Sequence, residues 1–241
     1  MTLRNKVIAV ICSACFIICS FLTVVDAACF DKAFYEKEHR TLTLYKPGTS
    51  SVSPYLPLPE YIGTDEAGLD HMTDVLLGYL RDEYDTLDLQ MEINGKMREI
   101  FTDDEKSHMV DVKILYERAV IVRNVTLAVF LISAGLLYYF TRKDLFTVLF
   151  SSYKKTLIGF GVVLAALGLA IFIDFDRFWT SFHHLFFSND LWLLDLRTDI
   201  LIMIVPPDFF NHLCLRIFFL TVAVLAGSYF LLLFVSKKVK S

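Results

Sequence analysis

The chain has 241 residues, 55% of them hydrophobic and 15% aromatic, with a net charge of −4 and a mean hydropathy of +0.52. A water-soluble domain of this length rarely carries so much apolar surface, so the composition argues against one and for a multi-pass membrane protein. The 22 phenylalanines suit contact with lipid or with a greasy substrate.

In chain order, the first apolar run is VIAVICSACFIICSFLTVV, residues 7–25, and the second is 119–140, with Arg123 and Asn124 near its outer end. The third, 157–173, is short for a span, and the fourth, 213–235, carries Arg216 near its start. Each approaches the ~20 residues that cross ~30 Å of hydrocarbon. Arg4 and Lys6 precede the first run, and Arg142, Lys143, Lys154 and Lys155 lie between the second and third. Lys237, Lys238 and Lys240 follow the fourth, and Asp144 alone among the acidic residues shares that side. Basic flanks stay cytoplasmic, so both termini are expected inside and residues 26–118 and 174–212 outside. The segment Val25-Asp26-Ala27 also resembles a signal-peptide cleavage site, which is the other reading of the first run. Five cysteines without paired spacing suggest neither a disulfide framework nor a zinc motif.

Residues 26–118 are too many for a simple loop and predict a small extracellular cap. Pro47, Pro54, Pro57 and Pro59 predict extended, irregular chain over 45–63. Thr64 to about Leu80 reads as an amphipathic helix with Leu69, Met72, Leu76 and Tyr79 on one face. LQMEINGKMREIF, 89–101, predicts a hairpin turning at Asn94-Gly95. Thr102 and Glu105 form a capping box, so a helix is expected to start there and run into the second span. Residues 141–156 are then a cytoplasmic loop, 174–212 an extracellular aromatic-rich interfacial loop, and 236–241 a cytoplasmic tail. The expected fold class is membrane all-α: four transmembrane helices with a small α+β extracellular cap.

Two outer segments carry candidate chemistry. His108 has Asp111 three residues on, where a carboxylate can hold one imidazole nitrogen and fix the tautomer of the other. His71 has the same spacing to Asp74 but lies in the cap helix and reads as a surface or packing residue. The stretch TSFHHLFFSNDLW, 180–192, sets His183 and His184 among Phe182, Phe186, Phe187 and Trp192. His108 stands 11 residues before Ala119 and His183 10 residues after Ile173, which puts them at matching levels. From 185 to 210 the chain is apolar but broken by Asn189, Asp190, Asp195, Arg197 and Asp199 and closed by Pro206-Pro207, so it suits a membrane interface. His108, Asp111 and His183 would also serve as three metal ligands, although no HExxH and no cysteine ligand supports that reading. There is no GxSxG elbow and no outer cysteine near a histidine. Two histidines without a protein nucleophile suggest a substrate that brings its own.

SHMVDVK (107–113) before a span, FHHLFFSNDLW (182–192) and LIMIVPPDFF (201–210) together resemble the bacterial lipoprotein intramolecular transacylase family. That resemblance implies a four-helix enzyme of the bacterial cell membrane with an extracellular cap. It implies a catalytic pair at His108 and, counting back from Phe186-Phe187, at His183, with His184 one position of alignment away. Asp111, His184, Phe186, Phe187, Asn189 and Trp192 are then the expected supporting or substrate-binding residues. The implied partners are diacylglyceryl lipoproteins as substrate and membrane lipid, with no nucleic acid, no metal and no other cofactor. The implied reaction moves an sn-2 acyl chain onto the α-amine of the lipoprotein's N-terminal cysteine. Outside the resemblance, a membrane lipid hydrolase, metal-dependent or not, and a non-enzymatic envelope sensor or assembly factor fit the same residues.

Overall fold

The computed structural model describes residues 2–41 and 58–238; the proline-bearing stretch 45–57 and the last residues of the tail lie outside it. The elements in order are α1 (Leu3–Cys29), α2 (Lys32–Thr41), α3 (Leu58–Ile62), α4 (Glu66–Leu80), β1 (Gln90–Ile93), β2 (Lys96–Glu99), α5 (Asp103–Thr141), α6 (Leu145–Ile173), α7 (Phe175–Phe186), α8 (Ile200–Ile204) and α9 (Pro207–Lys238). The chain divides into two compact units. A span unit comprises Met1–Ala28, Arg118–Asp174 and Cys214–Ser241, and a histidine unit comprises Cys29–Glu117 and Phe175–Leu213.

In the span unit, α1, α5, α6 and α9 are each long and apolar enough to cross a membrane. The expected loop 141–156 contracts to a 3₁₀ turn at Arg142–Asp144, entered through a left-handed Arg142 (φ 45°). Nothing from Leu145 to Thr156 breaks a helix, so α6 absorbs that stretch, and the short third run is the apolar part of a 29-residue helix. Lys154 and Lys155 ride on α6, where long cationic side chains at a span's end reach toward water. Packing is local and apolar: Ala9 sits with Leu137 and Val148, and Ile17 with Tyr153 and Leu225. A Cβ on Gly168 would lie 2.7 Å from the Phe218 ring, so glycine lets α6 and α9 approach there. Polar ties are few. The Tyr153 hydroxyl donates to the Leu225 carbonyl (3.1 Å) and shares a hydrogen bond with Ser228 Oγ (2.6 Å), and Arg123 Nη1 lies 2.9 Å from Asp26 Oδ2.

The histidine unit is built from local signals that the sequence carries. Asp65 caps α4 by accepting from the Gly68 N–H, and Leu69, Met72, Leu76 and Tyr79 are its buried stripe. His71 is exposed on the other side. β1 and β2 pair antiparallel with Ile93 opposite Lys96, and Asn94 (φ 52°) and Gly95 (φ 77°) supply the two left-handed residues of a type I′ turn. The capping box forms: Glu105 N–H donates to Thr102 Oγ1 (3.3 Å) and Thr102 N–H to Glu105 Oε2 (2.6 Å).

Two stretches differ from expectation. The end of the irregular 45–63 segment is helical, as α3. The 174–212 loop holds two helices, because the chain breaks at Asp174 (φ −155°, ψ 89°) and restarts at once as α7. Phe175, Phe178, Trp179, Phe182 and Phe186 recur on one face of α7 at helical spacing. Irregular chain in this stretch is left to about 187–199 and to Val205-Pro206, and Pro207 opens α9 at the helix position that needs no amide proton.

A buried histidine pair as candidate active site

His183 lies one turn after Trp179 on α7, and its Nδ1 is 2.8 Å from the Trp179 carbonyl oxygen. A carbonyl only accepts, so the imidazole proton is on Nδ1 and the lone pair is on Nε2. Four aromatic rings enclose this imidazole. Trp192 stacks on it at 4.7 Å, Trp179 meets it edge-on at 4.7 Å, and Phe182 and Phe187 each lie 5.6 Å away between centroids.

His108 occupies the polar start of α5, ahead of the apolar run 119–140. Its ring centroid is 6.0 Å from that of His183 and 5.3 Å from that of Phe187. His108 and His183 are 7% and 5% exposed as residues. Burial pushes His108 down to about 4, with the neighbouring His183 adding to the shift and Asp111 opposing it. Burial lowers His183 as well, against the hydrogen bond to Trp179. Both are therefore neutral near pH 7. They differ in one respect: the tautomer of His183 is fixed, whereas Nδ1 of His108 is buried without a hydrogen-bond partner among the described residues.

Asp111 does not hold an imidazole nitrogen as its spacing suggested. Its Oδ2 accepts from Asn189 Nδ2 at 2.8 Å, and Asn189 in turn accepts from the Leu191 N–H (3.2 Å) and, through its carbonyl, from Trp192 Nε1 (3.0 Å). The carboxylate thus ties α5 to the loop that lays Trp192 on His183. Among the described residues no group of three histidine, cysteine or carboxylate side chains is arranged to hold a metal ion, and the Asp111 carboxylate is turned to Asn189. His184 is exposed and touches Trp192 edge-on (5.1 Å, 89°), and Phe186 is exposed too. Of the adjacent histidines, His183 is the one in ring contact with His108.

Sequence reasoning passed over several polar groups that organise this unit. His39 is fully buried, donates from Nε2 to the Ile204 carbonyl (2.9 Å) and packs beside Tyr35 and Phe209. Its neighbour Glu38 is buried as well and meets His212 Nδ1 at 2.5 Å. In sequence these residues sit in KEHR, which reads as a solvated, charged turn of helix. Phe210 stacks at 4.4 Å on the ring of Trp179, the residue whose carbonyl fixes His183. The segments PPDFF and FWTSF carry the only hint of that contact, an excess of aromatic residues in both.

The sequence profile of the family described as lipoprotein intramolecular transacylase Lit matches residues 10–210. Among solved structures, the in meso structure of the membrane integral lipoprotein intramolecular transacylase Lit from Bacillus cereus superposes with a TM-score of 0.75 at 22% identity, over 99% of each chain. A histidine-to-arginine variant of that protein gives 0.71 at 23%, over 98% of this chain and 93% of the other. A histidine-to-alanine variant gives 0.72 at 24%, over 99% and 96%. These likenesses show a shared membrane fold. No curated protein sequence matches the chain.

Proposed function

Because this chain belongs to the lipoprotein intramolecular transacylase family, and is therefore a membrane acyltransferase acting on lipoproteins, we propose that it moves the sn-2 acyl chain of a diacylglyceryl lipoprotein onto the α-amine of the N-terminal cysteine, with His183 as base and His108 as hydrogen-bond donor. The observation that carries this reading is the fixed tautomer of a buried, neutral His183, whose Nε2 is left free to take a proton.

The α-amine, with an ordinary pKa near ~8, must shed a proton as it attacks the ester carbonyl. His183 Nε2 receives it, the N–C bond forms, and charge develops on the carbonyl oxygen. A neutral imidazole is a competent donor to such an oxygen, and the low basicity of His108 keeps it in that form. Collapse breaks the bond from carbonyl carbon to glyceryl oxygen, and the His183 imidazolium returns its proton to that oxygen. Atoms and charge balance, and the lyso product has the mass of the substrate. Donor and acceptor share one molecule, so holding them in contact supplies much of the catalysis. Trp179, Trp192, Phe182 and Phe187 exclude the water that would hydrolyse the ester. The basic flanks support the reading that this chemistry faces the outside of the membrane.

A reporter lipoprotein expressed with this chain, in a host without other N-acylation, tests the reading. Tandem mass spectrometry of its N-terminal lipopeptide is expected to find one acyl chain on nitrogen at unchanged total mass, lost with His108→Ala and with His183→Ala. An unmodified diacylglyceryl cysteine beside well-expressed enzyme overturns it.

A further inference from the structure

On α5, Glu105, His108 and Asp111 recur every three residues and so share one stripe of the helix. His108 meets His183 of α7, and Asp111 meets Asn189 of the loop after it. Glu105 is 0% exposed, and a carboxylate in that setting needs partners for both oxygens. Oε2 closes the capping box of its own helix by accepting from Thr102 N–H. Oε1 does something a capping box does not require: it accepts from the backbone N–H of Leu201, in α8, at 2.6 Å.

The N-terminus of α8 explains why. Its own N-cap residue, Asp199, makes no side-chain cap; its carboxylate turns back to the Asp195 N–H (2.7 Å) and the Thr198 hydroxyl (3.0 Å). Glu105 supplies from α5 the acceptor that Asp199 withholds. The far end of α8 is held by His39 through the Ile204 carbonyl. Immediately beyond come Pro206, Pro207 and Phe210, whose ring stacks on Trp179, the residue that fixes His183. A single side chain therefore joins the helix carrying His108 to the segment that backs His183.

We propose that Glu105 is a positioning residue for the histidine pair: it sets the register of α5 against α8 and, through the Phe210–Trp179 stack, the separation of the two imidazoles. The inference rests on the acyl-transfer reading for its kinetic consequence, but its geometric content does not.

The test compares Glu105→Gln, which keeps the shape and loses the charge, Glu105→Asp, which keeps the charge and loses the reach to Leu201, and Thr102→Ala, which removes the hydroxyl half of the capping box and leaves the Leu201 contact. In purified full-length protein in detergent, the imidazole ¹⁵N resonances of His108 and His183 are expected to shift in both Glu105 variants and to stay in place in Thr102→Ala. With a diacylated lipopeptide, kcat is expected to fall at least tenfold in both Glu105 variants with KM little changed, and to remain within twofold of wild type in Thr102→Ala. A folded Glu105 variant with wild-type resonances and kcat overturns the proposal. So does loss of folding in both Glu105 variants, or an equal kcat loss in Thr102→Ala, since either makes the residue a cap and nothing more. If the wild-type chain turns over no lipopeptide, the acyl-transfer reading fails while the resonance shifts still decide the register.

Discussion

The span unit and the histidine unit are held together by different physics. The span helices bury little of their apolar surface against one another, and their contacts are small clusters such as Ala9, Leu137 and Val148. Lipid is as apolar as leucine, so exposed leucine and phenylalanine cost little there and each contact contributes modestly. The histidine unit instead buries Glu38, His39, Glu105, His108 and His183. Each such group must be satisfied by a directed hydrogen bond or incur a desolvation cost. The lesson is one of tolerance: one unit should absorb substitutions, while the other should respond to the loss of a single atom.

The largest effects are expected at the imidazoles. His183→Ala should cut acyl transfer by roughly 10²–10⁴-fold, the range for removing a proton-transfer group, and His108→Ala by roughly 10²–10³-fold, the range for removing an oxyanion donor. A span-unit change of similar size, such as Leu225→Ala, should leave the rate of the membrane-inserted enzyme near wild type. Equal losses from both would erase the contrast. Next comes the Asp111–Asn189 tie. Asp111→Asn should lower kcat roughly tenfold or more by loosening Trp192 over His183. The exchange Asp111→Asn with Asn189→Asp restores a donor–acceptor pair and should recover most of the loss; a double variant no better than the singles would deny the tie its role.

Acid should separate the units as well. His39, His108 and His183 all have basicity lowered mainly by burial, so the unfolded chain takes up their protons first as pH falls. Their contribution is complete above the ordinary histidine range and is lost as pH drops from there, for His108 down to about 4. Burial raises the Glu105 carboxyl, which works in the opposite sense, so the informative measurement is a difference. Thermal midpoints of His108→Gln and wild type should diverge between neutral and acid pH, with the variant losing less. Parallel curves would mean that His108 is not buried neutral. The smallest effect belongs to the span unit. Tyr153→Phe should cost about 0.5–1.5 kcal/mol of stability, the scale of interhelical hydrogen bonds in membranes, and leave transfer unchanged.

What could be read from the sequence follows the same division between local and distant. The α4 stripe, the Asn94-Gly95 turn and the Thr102–Glu105 box were legible because each is written within a few residues. The four apolar runs were legible from length and composition, although the helices overrun them, since runs of hydropathy end where polar residues begin and helices do not. Within the site, His108 and His183 stood out by chemistry and by motif. The partner of Asp111 did not, because Asn189 is 78 residues away and no periodicity links them. α7 was hidden by its own composition, where aromatic residues dense enough to suggest an interface also fit a helix face. His39 was hidden by the charge around it.

The chain's two tryptophans, Trp179 and Trp192, both touch His183. An imidazolium quenches indole emission far more than a neutral imidazole does. With no other indole in the molecule, emission excited beyond the tyrosine band reports on His183 through both tryptophans and on His184 through Trp192 alone, so His184→Gln leaves a gauge of one ring. Its brightness should dim when that ring gains a proton and its colour should shift when acyl chains displace water from the indoles, so binding and proton transfer could be followed by light alone, in a vesicle, without a dye.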